Sequence, residues 1–221
     1  MSNTGILKYP SSPQAEPGLI AKLRMIAVAS LSDQLNRNRG SVGLVPYHSP
    51  APMAGTAVTV RTRGGDNLAI LRAYDFCRPG DVMVVDAEGE LANALVGGIM
   101  TYAAASLGLA GMVLDGAIRD VAEIRKRTFP VYARGVSHRG PYKDGPGAIN
   151  VPVTVGGMVV NPGDIIVGDQ DGLVAFPPAL AAKVIEKALA QEQNEEGTMQ
   201  AIREGRWDRA FVDALEARCA N

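Results

Sequence analysis

Cysteine and long apolar runs are scarce in this chain. Its 221 residues include two cysteines, Cys77 and Cys219, which are too few and too far apart for a disulfide framework or a cysteine metal site. We expect both to be free thiols in a reducing compartment. No apolar run approaches the roughly 18 residues that a membrane span needs. Residues 1–10 also lack the basic start and apolar core of a signal peptide. The sequence therefore predicts a cytoplasmic protein that contacts no membrane.

The chain also lacks a charge excess and a histidine cluster. Its formal net charge is −1, so the charge balance does not favour nucleic acid or a membrane surface as a partner. Two histidines, His48 and His138, lie far apart in predicted loops and do not have the spacing of metal ligands. There is no Ser-His-Asp arrangement, no P-loop and no GxGxxG fingerprint. These absences argue against the common serine-hydrolase and nucleotide sites.

The sequence contains enough apolar residues for one large domain. Hydrophobic residues make up 47% of the 221 residues, which is typical of a globular protein with a substantial core. Residues 1–17, rich in Pro and Ser, predict an N-terminal arm. Residues 18–221 predict a single domain with a C-terminal helical extension.

Helical and strand patterns alternate early in the chain, and strands dominate later. Helices are predicted over residues 18–35, 67–77, 94–107, a stretch after residue 120, and 178–204. Strands are predicted over residues 54–62, within 79–90, and over 111–116, 129–136 and 151–160, with Asp115-Gly116 as a turn that ends the third of these. Residues 164–176 predict a hairpin with its turn at residues 170–172. This order predicts an α/β protein with a mixed sheet.

Two segments of the chain resemble each other. Residues 79–89 (PGDVMVVDAEG) and 162–172 (PGDIIVGDQDG) match at Pro, Gly, Asp, a β-branched residue, Val, Asp and Gly in one register. One interpretation is that Pro-Gly-Asp opens strands in many proteins. The other is that two similar strand–turn units pack about a common core.

An arginine and an aspartate, Arg119 and Asp120, follow the predicted strand at residues 111–116. Sites in α/β proteins tend to form at the carboxyl ends of strands. A guanidinium pairs with a planar carboxylate, and a carboxylate oxygen is a ligand suited to Mg²⁺ or Mn²⁺. The pair could hold a keto acid while a metal meets its carbonyl oxygen. A surface ion pair is the alternative.

Paired glycines, Gly97 and Gly98, interrupt the predicted helix near its start. Such a turn exposes backbone N–H groups at the positive end of a helix dipole, where an anion can bind. Close helix packing explains the glycines equally well. One helix and one strand separate them from Arg119, which would return the chain to the same edge of the sheet.

An acidic run at residues 191–196 (QEQNEE) lies within the last predicted helix. A solvated helix face is its default interpretation.

Several blocks of the sequence, in one order, resemble the regulator of ribonuclease activity A family. That family includes the 4-hydroxy-4-methyl-2-oxoglutarate aldolases, which are class II pyruvate aldolases that use a divalent metal. The resemblance covers about residues 20–205. The blocks are GGDN from residue 64, PGDVMVVDAEGE from 79, VGGIMT from 96, LDGAIRDVAEI from 114, SHRGPYKDGPGAINVPV from 137 and NPGDIIVGDQDGLVAFP from 161. The resemblance implies a three-layer β/β/α fold of the swivelling-domain type. It also implies that the protein forms a homotrimer or a pair of trimers.

The resemblance also implies roles for particular residues. Arg119 would contact pyruvate and Asp120 would hold Mg²⁺ or Mn²⁺, so both are the expected catalytic residues. A glutamate from the last helix of a neighbouring subunit would complete the metal site; Glu195 matches best and Glu196 second. Substrate would also contact the backbone amides of the four-residue turn, namely Gly97, Gly98, Ile99 and Met100.

One position departs from the family pattern. The aldolases carry an aspartate at the second position of that turn, where it hydrogen-bonds metal-bound water, and this chain has Gly98. Loss of such a carboxylate typically weakens a metal site or its activity ten- to a hundredfold.

The resemblance leaves more than one function open. The expected activity is a metal-dependent lyase that cleaves 4-hydroxy-2-oxo acids to pyruvate and also decarboxylates oxaloacetate. The alternative is a non-catalytic regulatory protein that binds ribonuclease E-like partners. Some relatives have been labelled methyltransferases, but this chain has no glycine-rich S-adenosylmethionine loop followed by an acidic strand end.

Overall fold

The computed structural model describes residues 5–37 and 40–219. The helices of this part of the chain are α1 (Pro17–Leu23), α2 (Val28–Gln34), α3 (Leu68–Ala73), α4 (Gly98–Ser106), α5 (Val121–Ile124), α6 (Ala181–Arg203) and α7 (Ala210–Cys219). The strands are β1 (Ile6–Lys8), β2 (Val45–Pro46), β3 (Met53–Thr62), β4 (Asp81–Asp86), β5 (Ala94–Val96), β6 (Gly111–Ile118), β7 (Val131–Val136), β8 (Gly147–Ile149), β9 (Val153–Val155), β10 (Met158–Val160), β11 (Ile165–Gly168) and β12 (Leu173–Phe176).

A mixed sheet of ten strands forms the centre of the molecule, with the path β1-β8-β3-β4-β6-β7-β2. Strands β3, β4, β6 and β7 are parallel neighbours, and β5 also pairs parallel with β6. The remaining strands extend the sheet: β8 and β11 pair antiparallel with β3, β12 pairs with β11, and β1 lies at the outer edge. The parallel strands place the ends of β5 and β6 at one edge.

Alternate residues of the central strands face different layers, as the two-residue period of a strand requires. Met83 and Val85 of β4 belong to a core shared with α3, α4 and α5. Val82 and Val84 belong to a core shared with the β9–β10 hairpin and β12. Both faces of β4 are therefore buried, which explains its nearly continuous apolar sequence. The predicted three-layer β/β/α arrangement of an α/β protein is confirmed.

A third apolar core attaches the remaining helices to the sheet. Leu31 of α2 and Ala188 of α6 pack with Phe176 of β12 and other buried residues of α1 and β11. Beyond Ala188, α6 has no buried residue, and α7 has none among its described residues. None of the helices in residues 5–37 and 40–219 is long and apolar enough to cross a membrane.

The two similar segments fold in the same way at their start. The backbone N–H of Arg78 donates to Asp81 Oδ2 at 2.8 Å, and the backbone N–H of Asn161 donates to Asp164 Oδ2 at 2.8 Å. Each glycine between them has a positive φ, 87° at Gly80 and 90° at Gly163, which favours glycine. Strands β4 and β11 then flank β3 on either side. Both units therefore pack about one core.

The N-terminal segment lies along the body of the protein. Strand β1 pairs parallel with β8, and the backbone N–H of Ala15 donates to Thr56 Oγ1 at 3.0 Å. Residues 1–4 of the predicted arm lie outside the described residues.

Four local predictions are wrong. The single strand predicted over residues 151–160 is the antiparallel hairpin of β9 and β10, which turns at Gly156 and Gly157. The single helix predicted over residues 18–35 is two helices, because the chain turns between Leu23 and Val28. The start of the helix predicted over residues 94–107 is strand β5, and α4 begins at Gly98. The Asp-Gly that was predicted to end the strand after residue 111 lies inside β6, where the pairing with β7 shifts register.

Both cysteines are free thiols, as predicted. Burial raises the pKa of the Cys77 thiol to about 12, and the nearby Asp81 carboxylate adds to the shift. The Cys77 thiol is therefore protonated and unreactive at neutral pH.

Candidate active site

A small cleft lies where β5 and β6 end and α4 begins. Its empty volume is about 290 Å³, part of it open to solvent. The residues that line it are Asn67, Leu95, Val96, Gly97, Ile99, Met100, Arg119, Asp120 and Pro141. The cleft therefore contains Arg119 and Asp120. It also contains three of the four residues of the turn Gly97, Gly98, Ile99 and Met100, which we call the glycine turn.

Arg119 and Asp120 lie directly after β6. The backbone N–H of Arg119 donates to Val96 O at 3.0 Å, which ties the end of β6 to the end of β5. Asp120 has φ of +58°, a left-handed conformation that aspartate tolerates better than most residues. Arg119 Nε is 3.9 Å from Asp120 Oδ2, and the two side chains are 44% and 46% exposed. The pair is a loose contact at the mouth of the cleft, and both groups remain accessible to a ligand.

The glycine turn lies directly against this pair. The Gly98 backbone N–H donates to Asp120 Oδ2 at 2.9 Å. A Cβ atom on Gly97 would collide with Asp120 Oδ2 and lie 2.9 Å from Arg119 Cγ, so a side chain there would displace both residues. Because α4 begins at Gly98, the N–H groups of its first turn have no acceptor within the helix. The Gly98 N–H is taken by Asp120, and the N–H groups of Ile99 and Met100 remain as donors of the kind that bind anions at helix starts.

A second wall of the cleft comes from the block GGDN and from the loop before β8. The Asp66 carboxylate is fully buried and accepts backbone N–H groups from Leu68 at 2.9 Å, Asp144 at 2.7 Å and Gly145 at 3.0 Å. These bonds fix the loop against the start of α3, and Pro141 of that loop lines the cleft. The sequence indicated this block as a helix start but gave no sign that it organises the loop.

A tyrosine also supports α4. The Tyr74 hydroxyl donates to Met100 O at 2.7 Å. Burial is the main cause of a pKa well above the usual value for this phenol, with Cys77 a lesser cause. Tyr74 therefore remains a neutral donor throughout the physiological pH range.

The sequence model of the family described as RraA-like, Aldolase/RraA, matches residues 28–175, which include both walls of the cleft. The chain belongs to the RraA-like family. A protein from Halalkalibacterium halodurans, named provisionally as a 4-hydroxy-4-methyl-2-oxoglutarate aldolase, is 38% identical over 190 residues, which cover 86% of this chain and 90% of that protein.

Solved structures of similar proteins carry different descriptions. RraAS2 of Streptomyces coelicolor, described as an unusual member of the RNase ES inhibitor RraA family, superposes with a TM-score of 0.78 at 27% identity over 85% of this chain and 98% of its own. A Geobacillus kaustophilus protein described as an S-adenosylmethionine:2-dimethylmenaquinone methyltransferase has a TM-score of 0.63 at 32% identity, covering 68% and 94% of the two chains. The fold alone therefore does not decide the activity of an RraA-like protein.

A glutamate that the sequence reasoning missed lies beside the glycine turn of this RraA-like chain. A Cβ atom on Gly98 would be 2.6 Å from Glu123 Oε2. Arg127 forms an ion pair with Glu123 and donates to Gly98 O at 3.2 Å. The Glu123 carboxylate thus lies against the position where the resemblance expects an aspartate. Its place three residues after Asp120, one helical turn away, was the available signal.

The residues of the cleft fit a hydrated divalent cation. No group of three or more His, Cys, Asp or Glu side chains within residues 5–37 and 40–219 could enclose a metal ion. Mg²⁺, however, commonly keeps several waters and binds through one or two carboxylates. Asp120 offers Oδ1, which has no protein partner among the described residues, and Glu123 lies nearby. Asp120 could therefore hold such an ion with most of its ligands supplied by water.

Glu195 does not lie in the cleft of its own chain. It is exposed on α6, where its Oε1 accepts from Gln191 Nε2 at 2.7 Å. Gln191 Nε2 also donates to Asp33 Oδ2 at 2.9 Å, so this part of α6 faces the end of α2. Glu196 is exposed as well. A contribution of either glutamate to a neighbouring subunit's cleft stays a prediction.

Proposed function

We propose that this RraA-like protein is a divalent-metal-dependent lyase that cleaves 4-hydroxy-2-oxo acids and releases pyruvate, with oxaloacetate decarboxylation as a side activity. One observation carries the proposal: the Arg119 guanidinium, the Asp120 carboxylate and the start of α4 border a single cleft. A 2-oxo acid has a planar carboxylate for the guanidinium and an adjacent carbonyl oxygen. The names of similar proteins support the same reaction class.

The charge that develops in the reaction explains why these groups belong together. Breaking the carbon–carbon bond beside a keto acid, or removing CO₂ from oxaloacetate, leaves the enolate of pyruvate. A Mg²⁺ or Mn²⁺ ion bound at Asp120 would stabilise negative charge on the enolate oxygen. Arg119 binds the carboxylate and shares that charge, and the N–H groups at the start of α4 orient the substrate. Both reactions need the same enolate, so one cleft serves both.

A screen for pyruvate release tests the proposal. Purified protein with Mg²⁺ would be incubated with oxaloacetate and with several 4-hydroxy-2-oxo acids, and pyruvate would be measured. We expect release that needs the divalent ion and is absent with protein pretreated with EDTA. Absence of pyruvate from every substrate, at any concentration of Mg²⁺ or Mn²⁺, would contradict the proposed lyase.

A regulatory protein that binds ribonuclease E-like partners is the alternative, and the similarity to RraAS2 favours it. Such a protein acts through surface contacts and does not need an accessible arginine and carboxylate in a cleft. Inhibition of ribonuclease E by the wild-type protein and equally by its Arg119→Ala variant, without pyruvate release, would support regulation. The methyltransferase described for a similar structure has no counterpart here, because this chain lacks a glycine-rich S-adenosylmethionine loop.

The missing aspartate of the glycine turn gives a prediction about turnover. In Gly98→Asp alone, the new carboxylate would crowd Glu123, whose Oε2 lies 2.6 Å from the Cβ position. We expect the gain to appear once the Glu123 side chain is shortened: Gly98→Asp in a Glu123→Ala background should raise aldolase turnover about tenfold over Glu123→Ala alone. Gly98→Asn in the same background has the same size without the charge and should show no gain. Equal turnover in both double variants would contradict the role assigned to the carboxylate.

We also propose that the protein is a homotrimer or hexamer whose clefts each receive Glu195 from a neighbouring subunit. Arg119→Ala chains and Glu195→Ala chains should each be inactive alone. After subunit exchange at equal amounts, about a quarter of the clefts would combine an intact arginine with an intact glutamate, and activity should return to that fraction. A parallel mixture with Glu196→Ala distinguishes the two glutamates. A mixture that stays inactive although mass spectrometry detects mixed oligomers would contradict the shared site.

A further inference from the structure

A residue that lines the cleft has a buried polar atom without a partner. Asn67 is 3% exposed and lines the cleft. Its side-chain nitrogen donates to Leu95 O at 2.9 Å and lies 3.3 Å from Met100 Sδ, so both of its N–H groups have neighbours. Its Oδ1 atom is buried and has no hydrogen bond among the described residues.

The rest of Asn67 is fixed in place. Its backbone N–H donates to Tyr142 O at 3.0 Å, and its backbone carbonyl accepts from Leu71 N at 2.9 Å. Exchanging the side-chain oxygen and nitrogen would bring Oδ1 against Leu95 O, acceptor against acceptor. The orientation of the amide is therefore set by its surroundings, and the unpaired atom is the acceptor.

Two other buried oxygens lack partners in the described chain, Ser41 Oγ and Asn150 Oδ1. Neither residue lines the cleft. Buried polar atoms without a partner are uncommon in native proteins and destabilise them, and ordered water or a ligand supplies the missing partner in many of them. For a residue that lines a ligand cleft, the substrate is a natural source of the donor. Among the described residues, Asn67 has an unpaired buried acceptor and also lines the cleft.

The chemistry of the cleft limits what this donor can be. Arg119 and the N–H groups of α4 are donors, which suit the carboxylate and carbonyl oxygens of a 2-oxo acid. Asn67 Oδ1 is an acceptor, which suits a hydroxyl and not a carboxylate or a keto oxygen. A 4-hydroxy-2-oxo acid carries both kinds of group, whereas the keto form of oxaloacetate has no hydroxyl.

We infer that Asn67 Oδ1 accepts a hydrogen bond from the substrate hydroxyl and selects 4-hydroxy-2-oxo acids over 2-oxo acids without one. The inference rests on the proposed lyase function and adds to it a residue that determines specificity. Asn67 recognises the hydroxyl and moves no proton, since a neutral amide oxygen is too weak a base.

The ratio of two kcat/KM values tests the inference. Pyruvate release from 4-hydroxy-4-methyl-2-oxoglutarate and from oxaloacetate would be measured in the same preparation, so that losses of folded protein cancel. In Asn67→Ala we expect the ratio of the first kcat/KM to the second to fall about tenfold, the scale of one hydrogen bond. Asn67→Ser is the second variant: serine suits the first position before α3, which favours folding, but it is too short to replace Oδ1.

Asn150→Gly is the matched control. It removes the other unpaired amide oxygen, away from the cleft, and glycine accepts the φ of +58° at that position. Its ratio should equal that of the wild type. A wild-type enzyme that releases pyruvate and keeps the same ratio in both Asn67 variants would overturn the inference alone. A wild-type protein that releases pyruvate neither from oxaloacetate nor from any 4-hydroxy-2-oxo acid of the screen would overturn the proposed lyase, and the inference with it.

Discussion

Replacing Arg119 with alanine should abolish pyruvate release and leave the protein folded. The side chain is 44% exposed, and its nearest charged atom is Asp120 Oδ2 at 3.9 Å, so its loss removes no buried ion pair. We expect the free energy of unfolding to change by no more than about 0.5 kcal/mol, as for most surface substitutions. The catalytic loss follows because the substrate carboxylate would lose its cationic partner. Pyruvate release and thermal unfolding together check both expectations.

Lysine should not rescue Arg119. An ammonium group is a point charge and cannot make the two parallel hydrogen bonds that a guanidinium makes to a carboxylate. Arg125→Ala is a suitable control, because the guanidinium of Arg125 lies 5.8 Å from the centre of the Tyr47 ring, outside the cleft. We expect this control to retain wild-type kcat/KM. An Arg119→Lys enzyme with nearly normal kcat/KM would show that the planar contact does not exist.

The sequence predicts those parts of the fold in which one short segment carries its own signal. The apolar runs of β3, β4, β7 and β11 and the long periodic pattern of α6 are examples. The position of Arg119 and Asp120 at the end of a strand was also predictable, since the apolar run before them is buried along its whole length.

The break between α1 and α2 could not be read from local pattern. The start of α2 is capped by distant residues: Val28 N donates to Asp169 Oδ2 at 2.8 Å, and Ala27 N donates to Glu192 Oε1 at 3.1 Å. These carboxylates satisfy N–H groups that a continuous helix would have used internally. The periodicity of residues 18–35 is nearly the same for one helix as for two, so only the tertiary partners distinguish them.

In the candidate site too, some residues have a signal in the sequence and others are placed by tertiary contacts. The glycine turn and Arg119-Asp120 have signals in the sequence, whereas Asn67 enters the cleft only because Asp66 and Tyr142 fix its surroundings. The short strand β5 is similar, since Ala94–Val96 continues the apolar pattern of α4 and is distinguished from it by pairing with β6. Residue spacing in the sequence therefore does not determine which of these residues enter the cleft or form β5, and contacts between distant segments do.

Replacing Asp120 with asparagine should lower metal affinity and pyruvate release together. Asparagine keeps the size of the side chain. It also keeps an oxygen that can accept the Gly98 N–H, which in the wild type lies 2.9 Å from Asp120 Oδ2. It also tolerates the φ of +58° at this position, so the turn should persist. What it loses is the charge that holds a hard cation. Calorimetric titration with Mg²⁺ or Mn²⁺ measures the affinity independently of activity.

Activity of Asp120→Asn should recover in part at high Mg²⁺ or Mn²⁺, because a weaker site fills when the ion concentration rises. Asp144→Asn is a control of the same chemistry, since the Asp144 side chain is 71% exposed and does not line the cleft. It should bind metal and release pyruvate as the wild type does. A wild-type enzyme that remains fully active after EDTA treatment would make the metal assignment wrong, and Asp120 would then act only as the acceptor that holds the Gly98 N–H in place.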